Sequence, residues 1–89
     1  MALTLSNCSI SNNTNVTIRV IPDSPGIAFD IVAGAAANSG NIVFDTIQAS
    51  GNVLDTQATM TGNGVACTFT TVANGYTLTF PNGSTATFT

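Results

Sequence analysis

The sequence predicts an all-β fold: a small antiparallel β-sandwich, jelly-roll-like, or a barrel of about seven to eight short strands. Apolar and polar residues alternate in several segments, which is typical of half-buried strands, and the helical period does not occur. β-branched residues dominate, whereas Lys and Glu are absent and Leu occurs at four positions. Asn-Gly pairs, which tolerate the positive φ angles of tight hairpins, separate the C-terminal segments.

Four strands are predicted in the first half of the chain, because apolar residues there recur at every second position. They span residues 2–10, 15–21, 27–33 and 41–49. The first strand carries Leu3 and Leu5 on one face. In the fourth strand the same alternation places Phe44 on one face and Ile47 on the opposite face.

Turns and a more polar strand connect these segments. Proline, aspartate and glycine predict a loop over residues 22–26, since they preset or permit turn dihedral angles. Small residues predict a second loop over 34–41, in which 35–37 form one helical turn. After a turn at 50–52, residues 53–61 are polar enough to predict an edge or exposed strand.

A three-stranded antiparallel meander is predicted at the C-terminus. Its strands span 66–72, 76–80 and 85–89, and the connections contain Asn74-Gly75 and Asn82-Gly83. Phenylalanines alternate with threonines in these strands, so we expect a single cross-strand aromatic cluster of Phe69, Phe80 and Phe88.

A chain of 89 residues has the length of one domain, and we expect residues 1–89 to fold as one all-β domain. Domains this short bury only about 60% of their unfolded surface, so a disulfide commonly supplements the core. We predict a disulfide between Cys8 and Cys67, which would close a loop of about 60 residues and contribute about 4 kcal/mol. The alternative is a pair of buried thiols acting as small hydrophobic side chains.

The charge content excludes several classes of partner. The chain carries one arginine, four aspartates and a net charge of −3. Nucleic-acid binding and polybasic membrane attachment both need clustered Lys and Arg, so we predict no nucleic-acid and no membrane partner. The longest nearly apolar run, residues 27–37, is shorter than the roughly 18 residues of a membrane-spanning helix. Residues 1–4 do not resemble a signal peptide, yet the composition favours an extracellular or particle-surface location.

The same inventory argues against catalysis. There is no His or Lys to activate a serine, threonine or cysteine, and none of the aspartates occurs in an Asp-Thr/Ser-Gly motif. We therefore predict that the protein is not an enzyme, and that it has no catalytic residues, no cofactor and no metal. Calcium ligation by Asp30 and Asp45 is the alternative to solvated or turn-capping aspartates.

Self-association is the predicted function. Natural sheets protect exposed edges with Lys, Pro and charge, and the last strand, residues 84–89, carries no charge. We expect copies of the chain to associate through exposed strand edges, giving a filament, coat or capsid-decoration subunit. The predicted contact residues are Leu3 and Leu5 at one end and Thr85, Thr87 and Thr89 at the other.

A small lectin-like module is the alternative. Neutral carbohydrates are bound by amides, hydroxyls and an aromatic face, and they require little charge. Tyr76 follows a hairpin turn and offers the face, and Asn63, Asn74 and Asn82 would join it if the loops converge. A third reading is an inhibitor or effector that acts through the loop over 22–26.

Overall fold

The computed structural model describes residues 2–23 and 26–89. Within these ranges the chain forms eleven β-strands and no helix, so the all-β prediction is confirmed while the predicted strand number is too low. The strands are β1 Leu3–Ser6, β2 Ser9–Asn12, β3 Ile18–Pro22, β4 Phe29–Ile31, β5 Ala36–Asn38, β6 Asn41–Ala49, β7 Asn52–Asp55, β8 Met60–Asn63, β9 Ala66–Val72, β10 Gly75–Thr79 and β11 Thr85–Phe88.

The strands form two sheets, which are not closed into a barrel. Sheet A has the order β4-β3-β6-β1-β8, with β7 also paired to β6, and sheet B has the order β11-β10-β9-β2-β5. The expectation of purely antiparallel pairing is wrong, because β1 runs parallel to β8 and β2 runs parallel to β9. Both parallel pairs arise because the segment β8–β9 returns alongside β1–β2 in the same direction.

At three places, two strands that are consecutive in the chain belong to different sheets, and these three crossings lie next to one another. The pairs are β5–β6, β1–β2 and β8–β9, and each bends at a residue with positive φ: Gly40 at 60°, Asn7 at 52° and Gly64 at 66°. We call this row of bends the corner. Glycine adopts this left-handed conformation at no steric cost, and asparagine adopts it more readily than most other residues do. The predicted single strand over 2–10 is therefore two strands.

Backbone hydrogen bonds join the three bends of the corner. The Asn7 N–H donates to the Gly40 carbonyl at 2.6 Å, and the Gly64 N–H donates to the Ser6 carbonyl at 2.8 Å. The Ser39 N–H donates to the Cys8 carbonyl at 2.8 Å.

The predicted helical turn over 35–37 is wrong, because these residues lie in and next to β5, where Ala36 and Ala37 pair with β2.

A bulge in β6 reverses the alternation that the sequence predicts. Ile21 pairs with Thr46 but Pro22 pairs with Phe44, so Asp45 is an extra residue in β6. Because of this residue, Phe44 and Ile47 are both fully buried, although strict alternation places them on opposite faces.

The single exposed strand predicted over 53–61 is two strands in the structure. β7 pairs with β6, and β8 pairs with β1.

Aromatic side chains from both sheets form the centre of the core. Phe88 stacks on Phe44 of sheet A at 6.0 Å between ring centroids and lies 5.9 Å from Phe69 of sheet B. The meander is confirmed, with β9, β10 and β11 paired in sequence. Phe69 and Phe88 meet as expected, and Phe80 is 5% exposed in the same core. Phe44 joins them because the two sheets share this core.

Asn12 is buried in the core and all its side-chain groups are used. Its amide nitrogen donates to the carbonyls of Val16 and Ile31, both at 2.8 Å. Its side-chain oxygen accepts from the Thr14 N–H at 3.0 Å and from the Thr14 hydroxyl. One side chain thus ties the turn after β2 to the end of β4.

Replacing Gly64 with alanine is expected to lower the free energy of unfolding by about 1 kcal/mol, the cost of a left-handed L-residue. A methyl group on Gly64 would meet no atom within 4 Å, so the loss reflects backbone conformation alone. The matched variant Gly64→Asn should lose less, since asparagine tolerates this region better. Urea denaturation of both variants checks the prediction, and equal stability of Gly64→Ala and wild type would contradict it.

Replacing Asn12 with alanine is expected to destabilise the fold by about 2 kcal/mol or more, because buried groups left without a hydrogen-bond partner cost about 1–3 kcal/mol each. The carbonyl of Ile31 loses its side-chain donor in this variant. Asn13→Ala is the control, since Asn13 is exposed. Thermal and urea unfolding of the two variants should differ clearly, and similar values would show that Asn12 contributes little.

Candidate functional site

The charged residues are confined to one sheet. Sheet B carries none, although it contributes five strands. The five charged side chains are in sheet A or directly after one of its strands: Arg19 in β3, Asp23 after β3, Asp30 in β4, Asp45 in β6 and Asp55 in β7. The charged side chains that could repel a neighbouring molecule therefore lie on sheet A and not on sheet B.

The last strand is an edge of sheet B. Among the described strands, β11 has one ladder, with β10. The Phe80 N–H donates to the Ser84 carbonyl, while the Thr89 N–H and carbonyl bond to Asp55 on the other side. The N–H and C=O groups of successive residues in an antiparallel strand point alternately toward and away from the paired strand. The N–H and C=O groups of Thr85 and Thr87 therefore point away from β10, in the same direction as those of Thr89. Both of these threonines are exposed.

Two parts of the predicted assembly edge already have backbone partners within the chain. Leu3 and Leu5 are fully buried in β1, which pairs with β6 on one side and β8 on the other, so they offer no edge. Thr89 exchanges two hydrogen bonds with Asp55, at 3.0 and 3.2 Å, and this contact joins β11 to β7 of sheet A. Thr85 and Thr87 remain as the accessible part of the edge.

Two further sheet edges also lack charge. β5 ends sheet B opposite β11, and β8 ends sheet A opposite β4. Neither Ala36–Asn38 nor Met60–Asn63 contains a charged residue or a proline. The β4 edge, by contrast, carries Asp30. Among the described strands, charged residues on sheet edges therefore occur in sheet A, at Asp30 of β4 and Asp55 of β7, and not in sheet B.

The four residues of the predicted sugar site are divided between two depressions. Asn74 and Tyr76 line a depression of about 280 Å³ together with Asn52 and Leu54. Asn63 and Asn82 line a separate depression of about 200 Å³, next to Phe80. The tyrosine ring is partly buried and packs against the hydrophobic core, so only part of the ring is available for stacking.

Both cysteines are fully buried free thiols, and the predicted disulfide is not formed. In the ladder between β2 and β9, Cys67 lies opposite Ile10. Ile10 is two positions after Cys8 in the chain, so the two cysteines are not directly opposite each other. The Cys8 thiol donates to the Ser6 carbonyl at 3.6 Å. Burial, the charge of Cys8 and a hydrogen bond to Cys8 raise the pKa of Cys67 to about 11.

Three of the four aspartates have side-chain hydrogen-bond partners within the protein. Arg19 Nε and Nη2 donate to the two Asp30 oxygens at 2.7 and 3.2 Å, and this pair lowers the pKa of the Asp30 carboxyl. The Thr46 hydroxyl lies 2.6 Å from Asp55 Oδ1 and 3.1 Å from Asp45 Oδ1. Residues 2–23 and 26–89 contain no group of three or more His, Cys, Asp or Glu that could hold a metal ion.

No protein-family model, curated protein or solved structure matches this chain. In the part of the chain that the structure describes, there is no helix of the length and apolar character needed to cross a membrane. The loop over 22–26, the third predicted interaction site, lies partly outside the described residues, since Ser24 and Pro25 fall between the two described ranges.

The free energy of unfolding should fall as pH rises from about 9 to about 11, because the folded protein holds the Cys67 proton more tightly than the unfolded chain. Below pH 9, both states carry the proton and this contribution is complete. Urea denaturation at pH 8 and pH 10.5 measures the fall, and Cys67→Ala is the control that should lack this component. A fall of equal size in that variant would contradict the assignment to Cys67.

Proposed function

We propose that the protein is a non-enzymatic structural subunit of sandwich type that associates with copies of itself through the edge of β11. The observation that carries the proposal is the pair of outward-facing backbone units at Thr85 and Thr87, on an edge without charge. A strand with free N–H and C=O groups is a template for pairing with another chain.

The distribution of charge supports this proposal. A molecule approaching Thr85 and Thr87 meets a strand with no charged side chain, and Asp55, beside Thr89, is the charged residue next to this end of the edge, so we expect little electrostatic repulsion there. The β5 and β8 edges are equally uncharged and offer a second surface on the same molecule. Contact between β11 of one copy and a different edge of the next would propagate a filament or coat, whereas contact between two β11 strands would close a dimer.

The composition fits a subunit that works on the outside of a cell or particle. Such a subunit needs no cofactor, no metal and no nucleic-acid or membrane partner for this role.

Binding of a neutral glycan is the second candidate. Asn74, Asn52 and Tyr76 line one depression, which combines amide groups with an aromatic ring edge. A glycan array, read with the wild type and with Asn74→Ala, tests this candidate independently of assembly. Binding that survives Asn74→Ala would remove this depression as the site.

The edge proposal predicts that Thr87→Pro reduces self-association and leaves the fold intact. Proline removes the outward N–H of Thr87, which makes no bond to β10, and proline is tolerated at such edge positions. Thr87→Val is the matched control, since it keeps the N–H and a β-branched side chain. Light scattering and negative-stain microscopy near pH 7, over a range of protein concentrations, give the mass and shape of each form.

We expect oligomers or filaments for the wild type and Thr87→Val, and a 9.0 kDa monomer for Thr87→Pro. A monomeric wild type at every concentration would contradict the proposal, as would equal association of Thr87→Pro. Removal of residues 85–89 is unsuitable for this test, because Phe88 is fully buried against Phe44 and Phe69.

A further inference from the structure

The outer face of the meander carries threonines in a two-dimensional array. The β9–β10–β11 register aligns them in two ranks across the three strands. One rank contains Thr70, Thr77 and Thr87, and the other contains Thr68, Thr79 and Thr85. We call these six residues the threonine array. Ser11 of β2 lies opposite Thr68 and extends the second rank by one more hydroxyl group.

The alternation of the three strands places this array on the outside. Phe69, Leu78 and Ala86, which separate the threonines within each strand, are fully buried. Each strand therefore presents a Thr-x-Thr motif to the exterior and an apolar side chain to the core. The aromatic residues of the meander share the inner face, so this outer face has no aromatic ring.

The array is held firmly. β9 and β10 are paired on both sides, and threonine has few allowed χ1 rotamers. Within one rank, the Thr77 and Thr87 hydroxyls lie 3.3 Å apart and share a hydrogen bond. Thr77, at the centre of this rank, is only 7% exposed between its neighbours. The hydroxyl groups of Thr77 and Thr87 are thus held in position before any ligand arrives.

The spacing of the array selects a periodic ligand. Neighbouring strands lie about 4.8 Å apart, and alternate residues of one strand lie about 6.8 Å apart. A surface that repeats hydroxyl and methyl groups in two directions complements a solid that repeats hydrogen-bonding groups in two directions. Ionic minerals would require charged side chains, and crystalline polysaccharides are bound through aromatic faces. The outer face of sheet B has neither.

We propose that the threonine array is an ice-binding surface. Crystal planes of ice repeat water oxygens at spacings of the same order as those of the array. Hydroxyl groups can take the place of water in such a lattice, and the methyl groups between them order the adjacent water. The absence of charge from the whole of sheet B favours this ligand, because strongly hydrated charges would disturb a water lattice. The inference is independent of assembly through β11.

The test is adsorption of the purified protein to ice. A slowly growing polycrystalline ice hemisphere should incorporate the wild type, and dilute protein should slow the recrystallisation of ice grains. Thr79→Lys places a long hydrated charge in the array and should reduce incorporation to the level of a non-binding soluble protein. Thr79→Val removes only the hydroxyl and should give a smaller loss.

Thr4→Lys is the matched control, since Thr4 is an exposed threonine on β1 of sheet A. It adds the same charge and should retain wild-type incorporation. Exclusion of the wild type from ice would overturn the proposal, as would equal incorporation of Thr79→Lys and Thr4→Lys. Urea denaturation confirms that each variant is folded, and light scattering of Thr79→Lys and Thr4→Lys shows whether either substitution changes self-association. Loss of incorporation in Thr79→Lys with wild-type association supports the array, whereas loss of incorporation only together with loss of association would overturn it.

Discussion

The hydrogen bonds across the corner are the constraint on which the rest of the structure depends. Asn7, Gly40 and Gly64 each turn the chain through a left-handed residue, and backbone bonds hold the three bends in one row. A shift of any one segment by one residue would move its buried side chains to the outside. The corner therefore sets the register of β1, β2, β5, β6, β8 and β9 together, and the aromatic core closes over that register.

The corner also determines where the sheets end. Beyond the shared three-stranded segment, sheet A continues through β3 and β4, whereas sheet B continues through β10 and β11 on the opposite side. Each sheet therefore has an extension that the other lacks. Three of the five charged residues follow the first extension and the other two lie in β6 and β7 of the same sheet, whereas the threonine array lies on the second extension and on the adjoining β9. This separation leaves one face charged, and the other neutral, regular and open at its edge.

The sequence predicts the parts of the fold that depend on local signals. Alternation and the Asn-Gly turns are enough to locate the meander, since its strands are neighbours along the chain. The corner was missed because Asn7 has no distinctive neighbours, and its left-handed conformation is imposed by partners such as Gly40, 33 positions away. Ile47 was placed on the wrong face because the bulge at Asp45 is visible only in the pairing with β3. The absence of charge from the last strand directs attention to Thr85 and Thr87 in the sequence, but only the strand register aligns them with Thr77 and Thr79.

The most direct test of this account is native-state hydrogen exchange at the corner. The amides of Asn7, Ser39 and Gly64 donate across the three segments, whereas the Gly83 amide closes only a local turn with Phe80. If the corner organises the fold, its amides exchange only through global unfolding, with a free energy equal to that from urea denaturation. Gly83 then exchanges much faster. Exchange of the corner amides through a local opening of far lower free energy, while the β9–β10 amides stay protected, would contradict the account.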